Sequence, residues 1–487
     1  MMACDTAEVT HHRMTTSVGV ADLFARSTAT LVFDDGEMSC VDLLAGADRM
    51  LAALYASGVR AGDRIALHRG NDRHAVQLLL AAALGELVVV AVNTRYSAAE
   101  AHDLITRSGA TRVDDAVFIA ADDVSAPTAN ADLATNRREA PFVVFTTSGT
   151  TSRPKMVLHH QSSIVDHAHD VVAGFGYRDT DTIAVVLPLC GTFGLTGLMG
   201  AVAAHARVLV TDFAVDRLVA LCDTERITAM NGSDDMFHRL MNQGADLSSL
   251  RCGGFAQFNA SLTDICERAD HIGATLVGLY GMSEVQALFA VRHPLATSEE
   301  RARAGGHVVS PAADACIINN ELCVRGPSLF AGYLAEGGAK IDDGLTSSHL
   351  YHDGTHTWFR TGDLATIDGD RSFEYLSRLG DVLRLGGYLV APAEIIDVLC
   401  TAPGVADAQV VTVARSTGTR PVAFVISDNG HVIDEQAVIE HCAAHLARYK
   451  VPVRVVPIDA FPVTDGPNGV KIRLTDLRAH AAQLLGD

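Results

Sequence analysis

Thr147-Ser148-Gly149-Thr150-Thr151-Ser152-Arg153-Pro154-Lys155 is the stretch on which the reading of this chain turns. The apolar run Pro141 to Phe145 leads into it and predicts a short buried strand, and Met156-Val157-Leu158 resumes the apolar pattern behind it. Hydroxyls and exposed backbone N–H groups donate to phosphate oxygens, Gly149 lets the backbone approach closely, and Lys155 offsets negative charge, so this composition suits a polyphosphate. It is not a Walker loop, because no second glycine stands directly before a Lys-Ser or Lys-Thr pair. A Ser/Thr-rich surface turn has the same composition, and the loop by itself does not separate the two readings.

Upstream of the loop, Val18 to Ile119 alternates helical and strand-like segments. Cys40 to Ala56 carries apolar residues at helical spacing, Gly62-Asp63 predicts a turn before the strand Arg64 to Leu67, Ala75 to Gly85 is helical, and Leu87 to Val92 is a buried strand. Such alternation predicts βαβ units and a mostly parallel sheet. The polar stretch Asp122 to Arg138 predicts a loop. Downstream, Ile183 to Leu187, Val208 to Val210 and Thr275 to Leu279 are strand candidates, and Gly326 to Gly362, rich in Gly, Asp and His, predicts irregular structure. From Arg378 the pattern restarts as a compact unit, with strands Val410 to Val413 and Val422 to Ile426 and a helix from Glu435 to Arg448.

At 487 residues with 48% hydrophobic content, the chain supports a large core and more than one domain. The 58 acidic against 38 basic residues argue against general binding of nucleic acid or an anionic membrane, so an anionic substrate requires a local cluster of cations. The ten cysteines form no CxxC pair, which points to buried thiols in a reducing compartment rather than a zinc site. Asp5 and Glu8 interrupt the N-terminus, and Glu86 interrupts the most apolar run, Leu78 to Val92, so neither a signal peptide nor a transmembrane segment is expected and a cytoplasmic protein is. His159, His160, His167 and His169, expected on a helix after the loop, and the pair His352 and His356 lack zinc-ligand spacing.

Several motifs, in order over nearly the full length, resemble the adenylate-forming superfamily of acyl-CoA synthetases, luciferases and peptide-synthetase adenylation domains. TSGTTSRPKMV (147–157) is similar to its phosphate loop, PLCGTFGL (188–195) to its acyl-pocket segment, YGMSE (280–284) to its adenine and magnesium motif, and FRTGDL (359–364) to its ribose motif. RLGDVLRLGGYLVAPAEI (378–395) resembles its hinge and thiol-acceptor loop, and VTDGPNGVKIRLTDLR (463–478) its catalytic-lysine segment. NTRY (93–96) and GVRAGDRIAL (58–67) resemble segments of fatty-acyl and aryl-CoA ligases.

The resemblance implies an α/β fold: a large N-terminal domain of mixed and parallel sheets flanked by helices (1–377), with a small, mobile α+β C-terminal domain (378–487). It implies a ligase that adenylates a carboxylic acid with ATP and Mg2+, releasing pyrophosphate, then transfers the acyl group to CoA. Thr147, Ser148, Gly149, Thr150, Thr151 and Lys155 would hold phosphates; Ala256, Tyr280, Gly281 and Ser283 would border adenine; Glu284 would take magnesium; Asp363 and Arg378 would hold ribose and phosphate. Lys471 is implied as the catalytic lysine, with Glu284 and Thr147 beside it, and Lys450 is its competitor. Cys190, Gly191, Phe193 and Gly194, with Gly253, Gly254 and Phe255, would line the acyl pocket, which favours an apolar aryl or short-to-medium alkyl acid. Gly386 and Gly387 would admit the CoA thiol, and a plain hairpin turn explains them equally well.

The chain departs from the family pattern in places. Ser152 and Met156 replace common glycines, Gly191 stands where many relatives have a histidine, Gly380 sits at the hinge position, and one residue separates Gly469 from Lys471. Two further readings stay open: an enzyme loading a carrier-protein thiol, and a catalytically degenerate nucleotide-binding relative. Homodimer formation is open as well.

Overall fold

The computed structural model describes residues 18–131, 138–147, 154–258, 262–385, 388–390, 392–413, 419–428, 431–466 and 469–485. The predicted alternation holds over the first part of the chain. Ser39 caps the helix Cys40–Ala56 by accepting from the Asp42 N–H, and Asp72 caps Arg73–Gly85 by accepting from the Ala75 N–H. Every residue of the latter helix from Ala75 to Gly85 is buried, as expected for a helix apolar on all sides. Leu78, Leu79 and Leu80 are at most 1% exposed, and burial of each contributes roughly 1.5–3 kcal/mol.

Two large sheets position the site. A six-stranded sheet runs in the order Gly332–Tyr333, Met156–His160, Pro141–Thr146, Val88–Ala91, Arg64–Leu67, Thr111–Arg112. An eleven-stranded sheet has a parallel centre of Arg207–Val210, Thr182–Val185, Ala229–Ser233, Cys252–Ala256 and Leu276–Met282. It then continues antiparallel through Gln286–Val291, Gly305–Val308, Ser372–Arg378 and Asp363–Gly369. The wholly buried helix Thr192–Ala203 packs on the helix Gln161–Phe175 and on the strand Gln286–Val291.

The segment expected to be irregular, Gly326 to Gly362, is not. It supplies the edge strand Gly332–Tyr333, the helix Asp343–Ser348 and the antiparallel hairpin Leu350–His352 with Thr357–Arg360. Asp353 holds that hairpin's turn together, accepting from the N–H groups of Thr355 and His356 and from the Trp358 indole at 2.7–2.8 Å. Short, half-exposed strands rich in turn formers carry no clear period, which is why the pattern was invisible in the sequence.

Beyond Arg378, a separate core gathers Leu383, Leu385, Ile395, Leu399, Val425 and Val455. Its three-stranded sheet, Val405–Val413, Arg420–Ser427 and Arg454–Pro457, is covered by the helices Pro392–Cys400, Glu435–His445 and Leu474–Leu485. Two short hairpins join this unit, Leu383–Leu385 with Tyr388–Val390 and Val463–Gly466 with Gly469–Ile472.

Candidate active site

Pro141–Thr146 and Met156–His160 pair antiparallel, with Thr146 opposite Met156. The Thr147 N–H donates to the Lys155 carbonyl at 3.1 Å, and the Lys155 N–H donates to Thr147 Oγ1 at 3.2 Å. The mouth of the loop is therefore pinned shut, with Lys155 projecting from its far end. Ser148, Gly149, Thr150, Thr151 and Ser152 lie outside the described residues. Met156 is 2% exposed, so its side chain belongs to the core.

Lys155 is held by residues the sequence did not single out. Its Nζ lies 2.9 Å from His349 Nε2 and 4.8 Å from the Tyr333 ring centroid. His349 Nδ1 is 3.0 Å from the Leu345 carbonyl, so a proton there leaves Nε2 as the acceptor of the ammonium's hydrogen bond. Burial pushes the Lys155 pKa down; Glu284 opposes this, and Arg378 adds to it.

Glu284 sits in the turn between Leu276–Met282 and Gln286–Val291, 4% exposed, and its Oε1 accepts from the Tyr333 hydroxyl at 2.7 Å. Tight backbone brackets the carboxylate. A Cβ at Gly281 would lie 2.6 Å from Ala287 Cα, and Gln286 and Leu288 have φ of 64° and 63°, unusual for non-glycine residues. The buried His159 and His167 anchor the same turn, each placing Nε2 2.7 Å from a carbonyl, of Ser283 and Ala287 respectively. Burial lowers both imidazoles to about 4, so they are neutral Nε2–H donors at pH 7. The histidines thus position Glu284. Contrary to expectation they do not share one helix: His159 and His160 end a strand, whereas His167 and His169 lie on Gln161–Phe175. Among the described residues no group of three or more His, Cys, Asp or Glu is arranged to hold a metal ion.

Tyr280 lies inside the strand Leu276–Met282 rather than after it, and is 6% exposed. Its ring packs edge-on against Phe373, centroids 5.1 Å apart, and its hydroxyl donates to Asp363 Oδ2 at 2.5 Å. Asp363 is 1% exposed, and burial raises its carboxyl to about 6 even though Arg378 and Tyr280 pull the other way. Arg378 Nη1 is 3.0 Å from Asp363 Oδ1 but directs its N–H to the Thr361 carbonyl at 2.9 Å. Asp363 Oδ1 is left with no hydrogen-bond partner, a buried acceptor available to a ligand. Gly362, at φ 75°, makes the turn that brings Asp363 inward, and its N–H is held by Glu321 Oε1 at 2.9 Å.

Ser283 Oγ comes within 3.5 Å of the Thr146 carbonyl, and Ala256 ends its strand opposite Ser233. These sites gather at the C-terminal ends of Pro141–Thr146, Cys252–Ala256 and Leu276–Met282, where open α/β sheets bind ligands. Lys471 lies on the hairpin strand Gly469–Ile472, opposite Thr464. Lys450 is ion-paired with Glu394, which accounts for it without a catalytic role. Gly386 and Gly387 lie outside the described residues. A Cβ at Gly380 would meet nothing within 4 Å and its φ is not positive, so this conformation does not itself require glycine.

The expected acyl-pocket residues divide. Phe193 and Gly194 line a narrow cavity of about 10 Å³ with Ile183 to Leu187, Gly197 and Asn231. Gly253 does not line it: a Cβ there would strike Leu276, Leu250 and Phe237 in the core. Gly191 precedes the helix Thr192–Ala203 as its N-terminal cap, and Cys190 is a buried thiol raised to about 11 by burial. Asn231 is a polar lining residue that the sequence reading passed over.

No helix among the described residues is long and apolar enough to cross a membrane. Residues 21–334 match the AMP-binding enzyme family and 394–465 the AMP-binding enzyme C-terminal domain. A methyl-dioxo-octahydroindenyl-propanoyl:CoA ligase of Mycobacterium tuberculosis is 29% identical over 478 residues, covering 89% of this chain and 92% of its own. ATP-bound MatB from Rhodopseudomonas palustris superposes with a TM-score of 0.82 at 22% identity, covering 96% of this chain and 99% of its own. The O-succinylbenzoate CoA synthetase MenE of Bacillus subtilis, in complex with ATP and magnesium ion, gives 0.79 at 22% identity, over 93% and 98%. With the family match running through the loop, the Glu284 turn and the sheet between them, and a second match beyond Arg378, the chain belongs to the AMP-binding enzyme family.

Proposed function

We propose that the chain is an ATP-dependent acid–thiol ligase, which adenylates a carboxylic acid with release of pyrophosphate and then passes the acyl group to CoA with release of AMP. One observation carries the reading: Lys155, Glu284, Asp363 and Arg378, spread over more than two hundred residues of sequence, act on one another's charge in a single cluster around two buried carboxylates. Bringing a carboxylate to a triphosphate joins two anions, so the site must supply fixed donors and positive charge where negative charge builds.

Lys155 and the hydroxyls of Thr147, Ser148, Thr150 and Thr151 serve as the phosphate grip. Asp363, whose Oδ1 accepts no hydrogen bond, suits the ribose hydroxyls, and Arg378 balances its charge from the half-exposed side, 3.0 Å from that oxygen. Tyr280 orients Asp363 through its hydroxyl and borders the adenine with its ring, next to Gly281, Ser283 and Ala256. Glu284 fits magnesium, a hard cation that takes one carboxylate plus phosphate and water oxygens, and when bound the ion would neutralise phosphate charge. Tyr333 keeps the Glu284 carboxylate in place. Lys471 stabilises charge on the acid and α-phosphate oxygens during adenylation, carried by a C-terminal domain beginning near residue 378 that turns about Gly380. Gly386 and Gly387 admit the thiol. The nine described cysteines are free, which supports a reducing, cytoplasmic setting.

The test is pyrophosphate release with a panel of carboxylic acids, with and without CoA. Acid-dependent release together with CoA-dependent AMP formation is expected. Release that stops at the adenylate, with transfer only to a carrier protein, would replace the second half of the reading, and no release with any acid would overturn it.

A further inference from the structure

Among the described residues, His349 is the one hydrogen-bond partner of the Lys155 ammonium, at 2.9 Å. It ends the helix Asp343–Ser348, its N–H bonded to the Thr346 carbonyl at 3.1 Å and its carbonyl accepting from the Arg360 N–H at 2.8 Å. The ring is fixed on three sides. Nδ1 faces the Leu345 carbonyl and Ser348 Oγ, each at 3.0 Å. Phe359 lies 12° from parallel with it, centroids 6.3 Å apart, and the Tyr333 ring meets it edge-on at 5.2 Å. Tyr333 in turn underlies Lys155 Nζ at 4.8 Å and donates its hydroxyl to Glu284. The backbone beside the lysine is also held from outside, by Arg107 Nη2 donating to the Pro154 carbonyl at 3.1 Å.

An ammonium only donates, so Nε2 presents its lone pair and the imidazole is neutral. A carboxylate at this place would hold the lysine as firmly but would offset its charge. A neutral acceptor fixes the side chain and leaves both the charge and two of the three N–H donors to a ligand. An unrestrained lysine has to be ordered when a phosphate binds, and ordering one such side chain weakens affinity by roughly 2- to 13-fold.

Resting on the ligase reading for the identity of the ligand, we propose that His349 is a positioning residue for the ATP grip, pre-ordering Lys155 toward the polyphosphate without neutralising it. Its effect belongs to ATP binding and adenylation. The later transfer to the thiol, after pyrophosphate has left, does not draw on it.

The experiment is a binding cycle, read by calorimetry with a non-hydrolysable ATP analogue and magnesium, so that no acid is needed. His349→Phe keeps a ring against Tyr333 and Phe359 but removes the acceptor, and Kd should rise roughly 2- to 13-fold. His349→Gln returns a neutral acceptor and should recover most of that loss. In a Lys155→Met background, His349→Phe should add nothing, because its effect runs through the lysine. With a productive acid, His349→Phe should raise KM for ATP and not KM for the acid, and should spare thioester formation from a supplied adenylate. A rise in Kd below twofold, an undiminished effect in the Lys155→Met background, or equal losses in both half-reactions would each overturn the inference. Should His349→Phe not fold, His349→Ala takes its place in the same cycle. A wild type that releases no pyrophosphate with any acid overturns the ligase reading, while the binding cycle still decides the role of His349.

Discussion

Asp363 carries a stability cost that can be measured apart from activity. Burial holds its carboxyl at about 6 against an ordinary 3.8, so the ionised form costs about 3 kcal/mol in the folded protein. The folded state binds this proton more tightly than the unfolded chain, so the stability it contributes is complete below about pH 4 and lost as pH rises through 6. Asp363→Asn mimics the protonated form and keeps an acceptor for the Tyr280 hydroxyl. We expect the variant to match the wild type near pH 4, to gain between pH 4 and 6, and to exceed it by about 3 kcal/mol above pH 7. His159 and His167 give the opposite slope, because their lowered pKa values remove stability as pH falls from 6.5 toward 4. They are unchanged in the variant and cancel in the difference. Denaturant midpoints for both proteins across pH 4.5–8 provide the assay. On the ribose assignment, the same variant should lose roughly 10- to 150-fold in kcat/KM for pyrophosphate release, the equivalent of one charge-assisted hydrogen bond. A stability gap independent of pH, or a variant less stable at pH 8, would refute the argument.

Lys471→Ala should abolish adenylate formation while sparing thioester formation from a supplied acyl adenylate, and retention of the first half-reaction would remove Lys471 from its role. Tyr333→Phe leaves Glu284 Oε1 without its donor and should cost about 1–3 kcal/mol in stability, together with a higher magnesium requirement in the pyrophosphate assay; an unchanged magnesium titration would separate Tyr333 from Glu284 function. Gly380→Pro removes freedom at the proposed pivot and should slow the thioester step selectively; unaltered rates in both half-reactions would count against the hinge.

The fold was legible where a period was long and consistent. Cys40–Ala56 came out residue for residue, and the buried helix ending at Gly85 missed only its first two polar residues. The two halves of the site differ in kind. Lys155, Glu284, Asp363 and Arg378 stand in ordered motifs that are visible along the chain. Tyr333, His349 and His159 act through partners far along the chain: Tyr333 reaches Glu284 across 49 residues, and His159 reaches Ser283 across 124. Nothing local distinguishes such a tyrosine or histidine from a core residue. The strand Ala229–Ser233 was hidden for a different reason: Asn231-Gly232 is a turn signal, and only the sheet register and burial show a strand there.

The charge balance of the cluster explains why its parts tolerate burial together. Lys155 and Arg378 face Glu284 and Asp363, so the described groups are formally neutral as a set, and each carboxylate has a tyrosine hydroxyl as a further donor. Neutrality lets the site fold without a ligand despite the burial of both carboxylates. It also leaves no surplus positive charge for a triphosphate and an incoming carboxylate, in a chain whose net charge is −20. The proposed chemistry between those two anions therefore draws on cations from outside this set, magnesium at Glu284 among them. In the proposed reaction one such cation is Lys471, on a short hairpin beyond Arg378, whose contribution could be withdrawn without unbalancing the charges of the Lys155 cluster.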